Sequence, residues 1–222
     1  ETRFPETIHA TESQYSSVRV TEETVPGSGD APIRLRRLFL DNLLHSVWSP
    51  DEPLRLEYDY ERIYAAVTKR FGGTRDDLRT LFLGGGGYVF PRFVRAKWPR
   101  STVVVAEIDP AVTEANFVAF GLRRDEVRIV EGSSPSPGAI EIRHLDARNH
   151  VDELLAEKRR NPDFQPFDFI YGDAFNDFTV PYHLVTKEFA LKLKELLRPE
   201  TGLYLVNVID IYSEGRFLGA ME

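Results

Sequence analysis

Five short apolar runs alternate with stretches of helical periodicity, and this alternation constrains the fold more than any other feature of the sequence. The runs are Thr80-Leu-Phe-Leu83, Thr102-Val-Val-Val-Ala106, Ile140-Glu-Ile142, Phe167-Asp-Phe-Ile-Tyr171 and Leu203-Tyr-Leu-Val-Asn-Val-Ile209. Continuous apolar strands separated by helices are typical of a parallel sheet covered by helices on both faces. The sequence therefore predicts a doubly wound α/β domain that holds all five runs in one mostly parallel sheet.

The beginning of the chain has a different pattern. Residues 18–20, 33–40 and 43–48 form short segments rich in β-branched and aromatic side chains, which favour strands. Asp41 and Asn42 lie between the last two segments and are typical of a tight hairpin turn. We therefore expect a small antiparallel β-domain in front of the α/β domain.

A helix is predicted to join the two parts. Apolar and aromatic side chains recur at helical spacing from Tyr60 through Ile63 to Val67, and the pattern stops at Gly72. The expected division is a β-domain over residues 1–56 and a nucleoside-binding α/β domain over residues 57–222.

The composition narrows the classes of function. The formal net charge of −7 argues against nucleic-acid binding, which needs clustered Lys and Arg, and suits a small cationic substrate. Because the chain has no cysteine, it can form no disulfide or cysteine-ligated metal site, and we expect no metal cofactor. No apolar run reaches the roughly 18 to 20 residues of a membrane span, so a cytoplasmic protein is expected.

The first strand is followed by four glycines, Gly84 to Gly87, at the start of a helical stretch. Glycines there allow positive φ angles and close approach of a ligand to free helical N–H groups. The next strand ends in Glu107, where an acid can accept hydrogen bonds from ribose hydroxyls. Asp109 precedes Pro110 and is predicted to cap a helix. A ligand-free turn, with Glu107 solvated or capping, is the alternative interpretation.

The third and fourth strands also end in carboxylates. Asp146 follows the third strand, where it can accept a hydrogen bond from an adenine amino group. Asp173 follows the fourth strand and begins a loop that also contains Asn176, Asp177 and Tyr182. Carboxylates in such a loop can bind an ammonium group and accept its proton, although Asp177 can equally cap the following helix.

The order of these motifs resembles the spermidine synthase (polyamine aminopropyltransferase) family over essentially the whole chain. The resemblance rests on Leu38-Phe-Leu-Asp41, Glu57-Tyr-Asp-Tyr-Glu61, the glycine loop, Ala106-Glu-Ile-Asp-Pro110 and the Asp173 loop. It implies a Rossmann-like fold of the S-adenosylmethionine-type methyltransferase class. It also implies decarboxylated S-adenosylmethionine as cosubstrate, an amine acceptor such as putrescine, and a homodimer.

The resemblance also implies roles for individual residues. The nucleoside cosubstrate would be bound by Gly84, Gly85, Gly86, Glu107, Asp146, Ala147, Pro181 and Leu184. Asp173 would be the catalytic carboxylate, with Tyr171 or Tyr182 completing the base site, and Tyr60, Glu61, Asn176 and Asp177 would contact the amine substrate.

The sequence departs from the family where the polyamine would bind. A family aspartate that contacts the aminopropyl group is replaced by Gly87, the second acid of the Asp173 loop is Asn176, and Glu61 stands where His or Gln is usual. Gly-Gly-Gly-Gly-Tyr88 resembles a bacterial subgroup that is often fused to membrane segments. With Met221 as its only methionine and fewer strands than the family has, the chain is expected to be a C-terminally truncated piece of such a parent.

Three functions are compatible with this pattern. The leading hypothesis is an aminopropyltransferase, for which Asn176 predicts weak binding of putrescine. A methyltransferase that uses intact S-adenosylmethionine would share the nucleoside crevice, and the absence of an acid at Gly87 would suit it. The third hypothesis is a regulatory domain that binds nucleoside or polyamine without turnover.

Overall fold

The computed structural model describes residues 5–27, 31–130, 138–174 and 180–208. Within these ranges the first part of the chain forms an antiparallel sheet of four strands in chain order. The strands are β1 (Glu6–Glu12), β2 (Ser17–Val25), β3 (Ile33–Leu40) and β4 (Leu43–Trp48). Asp41 has a φ of 52° in the turn between β3 and β4, which confirms the predicted hairpin.

The rest of the described chain forms a six-stranded sheet in which all neighbouring strands are parallel. Its strands are β5 (Arg79–Leu83), β6 (Thr102–Ala106), β7 (Val127–Ile129), β8 (Ile140–Arg143), β9 (Phe169–Gly172) and β10 (Leu203–Val206). Helix α1 (Asp59–Gly72) precedes this sheet. The helices that follow its first strand are α2 (Val89–Lys97), α3 (Pro110–Ala119), α4 (Ala147–Arg160) and α5 (Lys187–Leu196).

The predicted fold class is confirmed, since all five expected runs lie in one parallel sheet behind an antiparallel unit. The strand order is β10-β9-β5-β6-β8-β7, so the chain builds outward from β5 in both directions. Such a reversal opens a crevice at the carboxyl ends of the central strands. This topology places the ends of β5, β6, β8 and β9 around one crevice.

The sequence analysis missed two strands and did not predict which face of α1 is buried. Strand β1 is largely solvated and polar, and β7 has only three residues at a sheet edge, so neither carries an apolar run. On α1 the side chain of Ile63 is 60% exposed, whereas Glu61 and Thr68 are buried. The buried face of α1 is therefore partly polar, which apolar spacing alone could not indicate.

The two sheets share one hydrophobic core. Val18, Val20 and Leu38 of the first sheet pack in the same cluster as buried residues of the parallel sheet. Trp48, at the end of β4, packs beside Phe120 with ring centroids 5.9 Å apart. Because the two parts are joined in this way, their division at residues 56 and 57 stays a prediction.

Gly121 should be essential for the packing of Trp48 between the two sheets. It has a φ of +78°, and a Cβ at this position would lie 2.1 Å from the Trp48 ring. We expect Gly121→Ala to lower the free energy of unfolding by about 2 to 4 kcal/mol, because it combines backbone strain with overpacking. Urea denaturation measures this loss.

Gly73→Ala is the matched control. Gly73 also has a positive φ, of +64°, but nothing lies within 4 Å of its Cβ position. Equal losses in the two variants would contradict the steric role assigned to Gly121.

Candidate functional site

A crevice of about 290 Å³ lies at the carboxyl ends of the parallel strands. Several residues singled out from the sequence line it, namely Gly84, Gly86, Glu107, Asp146, Ala147, Asp173, Pro181 and Leu184. The antiparallel sheet supplies another wall through Tyr15, Ser16, Leu40, Asp41 and His45. None of the site residues predicted from the sequence lies on this wall.

The glycine loop after β5 depends on the small size of its residues. Gly84 has a φ of +102°, and a Cβ there would lie 2.6 Å from the carbonyl oxygen of Asp173. Gly86 also has a positive φ, of +48°. The ends of β5 and β9 therefore approach each other more closely than side chains would permit.

Glu107 ties this loop to the end of β6. Its buried Oε2 accepts hydrogen bonds from the backbone N–H groups of Gly85, at 2.9 Å, and Gly86, at 3.3 Å. Its Oε1 accepts one from the N–H of Asp109 at 2.9 Å. Burial raises the pKa of the Glu107 carboxyl, and these three bonds partly oppose the shift. A carboxylate offers about four acceptor positions, so about one is left for a ligand in the crevice.

Asp109 caps α3 as predicted, since its side chain accepts a hydrogen bond from the N–H of Ala111. The hydroxyl of Ser13 donates a 2.6 Å hydrogen bond to its other oxygen. This bond attaches the turn between β1 and β2 to the crevice rim.

Asp146 caps α4 and also faces the crevice. Its Oδ1 accepts hydrogen bonds from the N–H groups of Arg148 and Asn149, and its Oδ2 lies 3.0 Å from Nε2 of His183. His183 belongs to a single 3₁₀ turn, Tyr182–Leu184, and was not assigned to the site from the sequence. No sequence pattern identifies this pair, because its members are 37 residues apart.

Asp173 stands where the crevice meets α1. Its Oδ2 accepts a 2.7 Å hydrogen bond from the hydroxyl of Tyr60, and its Oδ1 accepts a 3.0 Å bond from Nδ2 of Asn207. Burial raises the pKa of Asp173 to about 6, although the bonds from Asn207 and Tyr60 oppose the shift. The group can therefore exchange a proton near neutral pH.

The two tyrosines predicted to assist Asp173 lie elsewhere. Tyr171 is still within β9, so its side chain points into the core, where its hydroxyl lies 2.6 Å from Oγ1 of Thr68 and its ring stacks on Phe82. Tyr182 is 84% exposed. The tyrosine that holds Asp173 is Tyr60, which the sequence had assigned to the amine substrate.

Two further candidate residues, Asn176 and Asp177, lie outside the described residues. Glu61, by contrast, is buried in the first turn of α1, and burial raises its pKa to about 8.

Across the described ranges, no group of three or more His, Asp or Glu side chains is arranged to hold a metal ion. In the same part of the chain no helix is both long enough and apolar enough to cross a bilayer.

Glu107→Ala tests the prediction that this side chain contacts a nucleoside, because the substitution removes an acceptor that lines the crevice and the support of the glycine loop. We expect the binding free energy of methylthioadenosine to fall by about 1.5 to 3 kcal/mol, measured by calorimetry. Glu114→Ala, on the exposed face of α3, is the control and should bind normally. Unchanged affinity in Glu107→Ala would contradict the assignment.

No family model matches the chain. A polyamine aminopropyltransferase of Vibrio vulnificus (strain CMCP6) is 31% identical over 133 residues, which are 60% of this chain and 38% of that protein. The crystal structure of a probable spermidine synthase from Corynebacterium glutamicum ATCC 13032 has a TM-score of 0.65 and 23% identity, covering 93% of this chain and 64% of that one.

A third similar structure is a spermidine synthase in complex with the transition state analogue AdoDATO. Its TM-score is 0.54 and its identity 19%, over 90% of this chain and 56% of that one. The chain thus spans less than two thirds of the length of these relatives. The resemblance inferred from the motifs is confirmed, since the chain is similar in sequence to a polyamine aminopropyltransferase and has the fold of the spermidine synthases.

Proposed function

We propose that this chain carries the active site of an aminopropyltransferase of the spermidine synthase type. The reaction would transfer the aminopropyl group of decarboxylated S-adenosylmethionine to putrescine or a related amine. The observation that carries the proposal is the Asp173 carboxylate, which is held by the Tyr60 hydroxyl and the Asn207 amide and lines the same crevice as Glu107 and Asp146. A cytoplasmic homodimer belongs to the same proposal and rests on the family resemblance.

The crevice suits a nucleoside whose reactive end points towards Asp173. Glu107 and Asp146 follow β6 and β8, which lie on one side of β5, whereas Asp173 follows β9 on the other side. A ligand held by its ribose at Glu107 and its base at Asp146 would extend across the glycine loop towards Asp173. The similar spermidine synthase that binds AdoDATO favours a ligand of this kind.

The chemistry is a direct displacement. The amine nitrogen attacks the propyl carbon next to the sulfonium, a C–N bond forms, and the C–S bond breaks with its electron pair moving to sulfur, which releases methylthioadenosine. An alkylammonium has a pKa of about 10, so it must lose a proton before it can attack. The Asp173 carboxylate, held by Tyr60 and Asn207, would bind the ammonium and accept that proton.

Asn176 is expected to affect how tightly the acceptor amine binds. It lies outside the described residues, and its proposed contact with the distal amine of putrescine rests on the family resemblance. Because an amide supplies no charge, putrescine should bind more weakly than it would to a carboxylate at this position.

Asp173→Asn should reduce transfer to putrescine by about 10²- to 10⁴-fold, because the amide cannot accept the proton. Binding of methylthioadenosine should be retained. Product formation is followed by mass spectrometry with decarboxylated S-adenosylmethionine as cosubstrate, and Asp163→Asn, at an exposed position, is the control.

Two results would contradict the proposal. One is full turnover by Asp173→Asn. The other is wild-type protein that binds methylthioadenosine but transfers no aminopropyl group to any amine, which would favour a regulatory domain.

The pH dependence offers a second test. Below pH 6 the Asp173 carboxyl is protonated and can accept no further proton, so turnover should fall steeply as the pH decreases through about 6. The Tyr60 hydroxyl stabilises the carboxylate, and Tyr60→Phe should therefore move the acidic limb to higher pH. An acidic limb that does not move in Tyr60→Phe would exclude Asp173 as its source.

A further inference from the structure

Tyr88 directly follows the glycine loop and does not line the crevice. Immediately before α2 it has a φ of 51° and a ψ of 22°, which is the left-handed conformation. Within the described part of the chain the other non-glycine residues with a positive φ are Asp41 and Glu200, and both are exposed, whereas Tyr88 is fully buried. A bulky side chain is strained in this conformation, so its surroundings must hold it there.

Arg92 holds the backbone of Tyr88. Its Nε donates a 3.1 Å hydrogen bond to the carbonyl oxygen of Tyr88, and its Nη2 donates a 3.1 Å bond to that of Gly87. The guanidinium carbon lies 4.8 Å from the centre of the Trp48 ring. The N–H of Tyr88 donates a 2.8 Å bond to the carbonyl oxygen of Gly85, which closes the turn. These contacts fix the peptide groups on both sides of Tyr88.

The side chain of Tyr88 lies beside the glycine loop and close to Glu107. A Cβ at Gly85 would lie 2.7 Å from Cζ and 2.8 Å from Oη of Tyr88, and 3.0 Å from Oε2 of Glu107. This Oε2 is the atom that accepts hydrogen bonds from the N–H groups of Gly85 and Gly86. The tyrosine ring and the carboxylate therefore lie against the same residue of the loop.

The hydroxyl of Tyr88 is anchored to α3. Its Oη lies 2.8 Å from Oγ1 of Thr113, which is buried as well. The same Oγ1 lies 3.0 Å from Nε2 of His144, the residue after β8. Burial and the neighbouring Glu107 both raise the pKa of the Tyr88 hydroxyl, so the group stays neutral. The contact thus connects the glycine loop with α3 and with the end of β8.

A second residue of α3 reaches the loop. Asn116 follows Thr113 by three residues, so the two side chains share one face of the helix, and both are buried. Nδ2 of Asn116 donates a 2.8 Å hydrogen bond to the carbonyl oxygen of Gly86. Helix α3 therefore holds the loop at two points, through the backbone of Gly86 and through the side chain of Tyr88.

We propose that Tyr88 is a positioning residue for Glu107. The contact with Thr113 fixes its ring against Gly85. With the ring in place, the N–H groups of Gly85 and Gly86 keep facing the Glu107 carboxylate. A loop that is ordered beforehand loses less conformational entropy when a ligand binds, so Tyr88 also tightens binding of the nucleoside. This second part rests on the proposed function.

Amide hydrogen exchange in the ligand-free protein, measured by NMR, tests the effect on the loop. In Tyr88→Phe, which keeps the ring and removes the hydroxyl, the amides of Gly85 and Gly86 should exchange about 3- to 10-fold faster. Tyr171→Phe is the matched control, because it removes the same kind of buried hydroxyl contact, to Thr68, within the core. In this control the two glycine amides should exchange at the wild-type rate.

Calorimetry with methylthioadenosine tests the effect on the ligand. Its affinity should fall about 3- to 10-fold in Tyr88→Phe and stay within about twofold in Tyr171→Phe, although both variants lose a buried hydrogen bond. Combined with Glu107→Ala, Tyr88→Phe should weaken binding by less than about twofold more, because the group through which it acts is gone. A purely structural contribution would have its full effect in both backgrounds.

Thr113 provides an independent pair of variants if Tyr88→Phe does not fold. Thr113→Val keeps the shape of the side chain and removes the hydroxyl, so it should reproduce the faster exchange and the weaker binding. Thr113→Ser keeps the hydroxyl and should retain the wild-type exchange rates and affinity within about threefold.

Three outcomes would overturn the inference. These are equal exchange of the loop amides in Tyr88→Phe and Tyr171→Phe, equal affinity of these two variants for methylthioadenosine, or an undiminished effect of Tyr88→Phe in the Glu107→Ala background. The exchange measurement needs no ligand. A wild type that binds no methylthioadenosine would therefore contradict the proposed function, while the exchange rates would still decide whether Tyr88 positions the loop.

Discussion

The crevice depends on one buried carboxylate that joins two strand ends. Glu107 accepts hydrogen bonds from Gly85 and Gly86 of the loop after β5 and from Asp109 at the start of the next segment. Backbone N–H groups at a tight turn have no partner within the turn, and a buried N–H without an acceptor is costly. The same interaction that satisfies the loop therefore sets its distance from β6, and with it the width of the crevice.

The antiparallel sheet contributes residues to the crevice wall and also packs against the α/β domain. Ser46 accepts a hydrogen bond from Gly87, and Trp48 lies against Gly121, so two residues of β4 are matched to two glycines of the α/β domain. A side chain at either glycine would displace the sheet. This packing accounts in steric terms for glycine at position 87.

Asp173 and Glu61 differ in the number of donors that their surroundings provide. Burial raises the pKa of both carboxyls. Asp173 receives two hydrogen bonds and has a pKa of about 6, whereas Glu61 receives one long bond and has a pKa of about 8. The carboxyl with more hydrogen-bond donors therefore keeps a pKa nearer to its ordinary value.

The sequence by itself determined the parallel sheet, the glycine loop and the acids at three strand ends. These features follow from local periodicity and from the rule that parallel strands end at one edge, so they needed no knowledge of packing. Only the tertiary structure decided which side chains meet. It paired Asp173 with Tyr60 rather than Tyr171, brought His183 to Asp146, and buried Glu61 while exposing Ile63. Each of these depends on how separate elements pack, and a polar residue on a helix carries no local mark of the face it will occupy.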